Sequence, residues 1–72
     1  MTTEEIKQRL LNGDVFSGRN GAFTGTMKVV GSTDNGIKVQ CKNKEGVAWE
    51  ETWDDDIIYT IYAFERGDYY FL

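Results

Sequence analysis

The chain has 72 residues and a net charge of −4, so we expect one small domain spanning 1–72. It contains a single cysteine, Cys41, and no histidine, which excludes disulfide scaffolds, zinc fingers and catalysis by Ser/His or Cys/His pairs. The longest apolar-rich run, 57–64, is shorter than the roughly 20 residues that cross a bilayer, and no signal-peptide pattern is visible, so the expected location is the cytoplasm without membrane contact.

The first predicted element is a helix over about 3–12. Thr2 or Thr3 can cap its first N–H groups, and two glutamates follow at the positive end of the helix dipole. Ile6, Leu10 and Leu11 have helical spacing and are predicted to pack on a sheet. Gly13 is placed to end the helix in the left-handed conformation.

The middle of the chain predicts an antiparallel meander of three strands, preceded by a short strand near 14–17. Apolar and polar residues alternate with period two in each strand, and turns at 32–36 and 43–46 separate them. One face of this sheet is predicted to be apolar and to receive the helix: Phe23, Met27, Val29, Ile37, Val39, Cys41, Val47 and Trp49.

The last twenty residues allow two interpretations. Ile57 to Tyr62 is rich in β-branched and aromatic residues, which favours a strand and a hairpin turning at 65–68. Aspartates before the segment and Gly67 after it are typical of a helix over 54–66, followed by a closing strand over 68–72. The segments LLNGDVF and FERGDYYF favour the helix, because both read as a helix ended by Gly-Asp and followed by a strand.

The predicted fold class is therefore α+β, with an N-terminal helix on a small antiparallel meander, a C-terminal helix or hairpin, and a short closing strand. The order of short strands and turns loosely resembles an SH3-like small barrel. That resemblance concerns topology alone and implies no function.

Charge and aromatic residues are concentrated in the second half of the chain. Residues 1–44 carry seven bases and four acids, a net charge of +3, whereas 45–72 carry one base and eight acids, a net charge of −7. Exposed aromatic residues flanked by charge are frequent anchors of protein interfaces. The predicted partner-binding residues are Glu50, Glu51, Trp53, Asp54, Asp55, Asp56, Tyr69 and Tyr70.

The acidic run 50–56 has other interpretations. Its carboxylates would suit Ca²⁺ or Mg²⁺, but the run lacks the ligand spacing and the central glycine of an EF-hand. The aspartates can also simply cap a helix. We predict no metal-binding, cofactor-binding or catalytic residue, and no enzyme, because a chain of this size can hardly enclose a pocket and keep a core.

The leading functional hypothesis is a small protein-interaction domain. It would engage a basic or nucleic-acid-binding protein through its acidic, aromatic half and inhibit that partner. One alternative is a small nucleic-acid-binding barrel that uses the lysines at 28, 38, 42 and 44, although the net charge of −4 argues against tight binding. Another is a structural subunit that assembles with copies of itself.

Overall fold

The computed structural model describes residues 1–54 and 57–72. Within them the chain forms two helices and one five-stranded sheet, which confirms the predicted α+β class. The elements in chain order are α1 (Thr3–Leu11), β1 (Phe16–Gly18), β2 (Thr26–Ser32), β3 (Ile37–Lys42), β4 (Ala48–Trp53), α2 (Ile57–Arg66) and β5 (Tyr69–Phe71).

The strands are arranged in the order β4-β3-β2-β1-β5, and every neighbouring pair is antiparallel. β2, β3 and β4 form the predicted meander, and the helix interpretation of the C-terminal segment is confirmed in place of the hairpin. α2 carries the chain from β4 at one edge of the sheet to β5 at the other. The predicted helix start at 54 is wrong for Asp54, which lies outside the helix, while 55–56 are outside the described residues.

The two helices end in the same way, as the repeated Gly-Asp predicts. Gly13 and Gly67 have φ of 84° and 86°, the left-handed region in which glycine is favoured. In each case the following aspartate donates its N–H to a carbonyl five residues back, at 3.1 Å for Asp14 and 2.9 Å for Asp68. Both helices are therefore stopped by the same local structure and lead directly into the neighbouring strands β1 and β5.

The core lies between the two helices and one face of the sheet. It is centred on Phe16, which is fully buried and has aromatic rings on several sides. The buried apolar residues of this cluster are Ile6, Leu10, Phe16, Met27, Val29, Ile37, Val39, Cys41 and Ile61. Leu11, predicted to join them, is 52% exposed, because it is the last residue of α1 and borders an open surface groove beside β2.

The sheet is strongly curled but does not close, so the SH3-like barrel is not formed. A flat five-stranded sheet would hold its edge strands about 19 Å apart. Here Trp53 of β4 and Tyr69 of β5, on opposite edges, stack with ring centroids 6.4 Å apart. Side chains thus bridge the gap, while no backbone hydrogen bonds join β4 to β5 among the described residues.

Candidate protein-interaction site

Three side chains of β4 point to the same side of the sheet as the core. They are Trp49, Glu51 and Trp53, which we call the Trp-Glu-Trp face. α1 contacts β2 and α2 contacts β5. On β4, Trp49 remains 36% exposed and Glu51 is also exposed. The register places the three residues opposite the buried Cys41, Val39 and Ile37 of β3, respectively.

The carboxylate of Glu51 accepts a hydrogen bond from each tryptophan. The indole Nε1 of Trp49 lies 2.6 Å from one oxygen, and the indole Nε1 of Trp53 lies 3.1 Å from the other. These two hydrogen bonds, the one from Trp49 having the larger effect, lower the pKa of Glu51 because they favour the charged form. A carboxylate has about four acceptor positions, so about two remain for a ligand.

Two further rings extend the Trp-Glu-Trp face at its ends. Phe23 packs edge-on against Trp49, with centroids 5.6 Å apart, and is 37% exposed. Tyr69 stacks on Trp53, and burial raises the pKa of its hydroxyl, so the hydroxyl stays neutral. Trp53 also contacts Phe16 and is therefore partly a core residue, whereas Trp49 is the more accessible of the two tryptophans.

A shallow cleft of about 240 Å³ lies between the end of β4 and α2. Small-molecule sites usually enclose about 300–1,000 Å³, so this cleft fits one amino-acid side chain better than a metabolite. Arg66 stands at its rim and pairs with Asp68 at 3.0 Å. The residues that line the cleft are Trp53, Tyr59, Thr60, Ala63, Arg66 and Tyr69.

The structure brings together only some of the predicted site residues. Glu51, Trp53 and Tyr69 share one side of the sheet, and Asp54 is exposed immediately beyond β4. Glu50 points to the opposite side of the sheet. Tyr70 lies on β5 at the far edge of the sheet, with the guanidinium of Arg19 4.1 Å from its ring centroid. Asp55 and Asp56 are outside the described residues.

Sequence reasoning missed Trp49 and Phe23, which were predicted to be core, as was Val47. Val47 is also exposed, and it lies between the turn at 43–46 and the start of β4. The missed signal is the position of Glu51. A charged residue stands between two tryptophans at the parity of the buried face, which indicates that this end of the face is open to water.

Within the described ranges, no group of three or more potential metal ligands is found. Neither described helix is long and apolar enough to cross a membrane. Comparisons with models of protein families, with curated proteins and with solved structures give no match.

Proposed function

We propose that this chain is a non-enzymatic protein-interaction domain that binds a basic segment of a partner protein at the Trp-Glu-Trp face. The observation that carries the proposal is the exposed carboxylate of Glu51 held between two indoles. The indole rings attract a cation over their faces, and the carboxylate pairs with it. A lysine or arginine side chain has the matching form, because it combines a charged end with an apolar stem.

The surrounding charge supports the same partner. Residues 45–72 carry a net charge of −7, and Asp54 is exposed immediately beyond the end of the face. Such a field accelerates the encounter with a basic protein and weakens as salt is added. If the bound segment is also the nucleic-acid contact of the partner, binding would inhibit the partner.

The test is selection from an immobilised library of random nine-residue peptides with the wild-type domain. We expect the retained peptides to be enriched in lysine and arginine. Glu51→Gln should weaken their binding about tenfold or more. Glu45→Gln, which makes the same charge change in the exposed turn before β4, should weaken it less than threefold.

Two results would contradict the proposal. Retained peptides without basic enrichment would exclude a cation as the ligand. Equal losses for Glu51→Gln and Glu45→Gln would show that only net charge matters and that the Trp-Glu-Trp face is not the site.

The opposite side of the sheet supports a second candidate, binding of nucleic acid. The register places Lys28, Lys38 and Lys42 together there, and all three are exposed. Glu50 lies on the same side opposite Gln40, and the net charge of −4 opposes binding of phosphates. We therefore expect no sub-micromolar, salt-sensitive binding of a single-stranded 12-mer at physiological salt. Such binding would favour this second function.

A further inference from the structure

The open edge of β4 is available for backbone hydrogen bonds. Asn43 donates its N–H to the carbonyl of Val47 at 3.0 Å. Asn43 and Val47 are thus a hydrogen-bonded pair, one step before the first pair of the β3–β4 ladder, Lys42 and Ala48. Hydrogen-bonded and non-bonded pairs alternate in an antiparallel ladder. The backbone N–H and carbonyl groups of Trp49, Glu51 and Trp53 are therefore directed towards β3.

The intervening residues must direct their backbone groups away from β3. Ala48, Glu50 and Thr52 present three N–H groups and three carbonyls along the free edge, and all three residues are exposed. In the part of the chain that the structure describes, no strand pairs with this edge. The ladder with β3 runs through six residue pairs without a bulge, so the edge is regular.

We propose that the partner segment adds to this edge as an antiparallel strand, with a lysine or arginine opposite Glu51. This inference rests on the proposed function and names its binding mode. A single cation–π contact at an exposed site contributes only about 0.5–1 kcal/mol, so one basic side chain alone would bind weakly. Strand addition supplies backbone hydrogen bonds, while the side chains at alternate positions provide specificity.

The register follows from the geometry of the edge. The partner residue opposite Glu51 lies on the same side as the Trp-Glu-Trp face, at a non-hydrogen-bonded pair where side chains are closest. Residues two positions before and after it lie opposite Trp49 and Trp53, where apolar side chains fit. The one beside Trp53 can enter the cleft near Tyr69 and Arg66. The segment thus reads apolar-x-basic-x-apolar.

Charge distinguishes this occupant from a second copy of the chain. When two β4 edges pair about a two-fold axis, the central registers place Glu50 opposite Glu50 or Glu51 opposite Glu51. Like charges directly opposite each other destabilise a strand pair. An inward-pointing charge on an edge strand is also a known device against self-association. The same carboxylate therefore opposes self-pairing and accepts a basic strand.

The experiment uses the acetylated, amidated peptide Thr-Val-Thr-Lys-Thr-Val-Thr and two doubly N-methylated forms. In the proposed register, the N–H groups of the two threonines beside the lysine point to β4, whereas those of the two valines point away. We expect the form methylated at these threonines to bind at least tenfold more weakly than the form methylated at the valines. The parent peptide should also slow amide hydrogen exchange at Ala48, Glu50 and Thr52.

Each other outcome is decisive. Equal affinity of the two methylated forms, with binding still weakened by Glu51→Gln, would overturn strand addition and leave the proposed function standing. Absence of binding of the parent peptide at millimolar concentration would overturn both. Concentration-dependent shifts of the β4 amides without peptide would identify a second copy as the occupant and overturn the proposal.

Discussion

Adjacent leucines in α1 provide a direct test of how the helix docks. Leu10 is fully buried in the core, whereas Leu11 is 52% exposed. Truncation of a buried leucine to alanine costs about 2–5 kcal/mol, the loss of buried apolar surface plus the cavity left behind. A 72-residue domain is expected to have a total stability of about 4–11 kcal/mol. Leu10→Ala should therefore remove a large share of the stability.

The assay is thermal unfolding followed by circular dichroism. For a domain of this size, 1 kcal/mol corresponds to about 4–8 °C, so Leu10→Ala should lower the melting temperature by roughly 8–40 °C. Leu11→Ala makes the same chemical change at a half-exposed position and should cost about 1 kcal/mol or less. Equal losses for the two variants, or a cost below about 1 kcal/mol for Leu10→Ala, would refute the packing of α1 described above.

Two further predictions concern the Trp-Glu-Trp face and the helix ends. Trp49→Phe keeps an aromatic side chain but removes the indole N–H, so the pKa of Glu51 should rise towards its ordinary value. An NMR titration that follows the carboxyl carbon shift of Glu51 measures this pKa. Because the pKa of Glu51 is lowered in the folded state, these hydrogen bonds stabilise the wild type at pH values above the ordinary glutamate pKa of about 4.3. Their contribution disappears as the pH falls through the lowered pKa. An unchanged pKa of Glu51 in Trp49→Phe would contradict this assignment. Gly67→Ala should cost about 1–2 kcal/mol in urea unfolding, because alanine is disfavoured at a φ of 86°. Gly31→Ala is the control, since its added methyl would meet Lys38 at an ordinary 3.9 Å, and equal costs would argue against the left-handed helix end.

Features set by local chemistry could be predicted from the sequence. The left-handed glycine at the end of each helix depends on residues within one turn, and Gly13 and Gly67 behave as predicted. The turn at 43–46 likewise forms through the side chain of Asn43, which accepts N–H groups from Glu45 and Val47, each at 3.0 Å.

Features set by what covers the sheet could not be predicted in the same way. Period-two alternation assigned Trp49 to the apolar side correctly, but it does not show whether a helix extends over that strand. Trp49 remains 36% exposed, so this predicted core residue became part of the candidate site. Neighbouring residues of a strand point to opposite sides of the sheet, so Glu50 and Glu51 lie on different sides. The acidic run 50–56, which was predicted as one surface, is therefore divided between two.

The curl of the sheet depends on contacts distant in sequence. Trp53 and Tyr69 stack across the gap between the edge strands, and each also contacts Phe16. A topology that resembles a small barrel does not determine whether the edges then join through backbone hydrogen bonds. Among residues 1–54 and 57–72 the two edges do not join, and no strand pairs with the outer edge of β4.

The central claim is that a basic side chain binds at Glu51 between the two indoles. It is tested most directly by the two indole N–H signals of ¹⁵N-labelled protein during titration with Thr-Val-Thr-Lys-Thr-Val-Thr and with the same peptide carrying glutamine in place of lysine. Both signals should shift with one common dissociation constant for the lysine peptide, and the glutamine peptide should bind at least tenfold more weakly. The claim would be contradicted if the indole signals of Trp49 and Trp53 stayed in place, or if the two peptides shifted them equally.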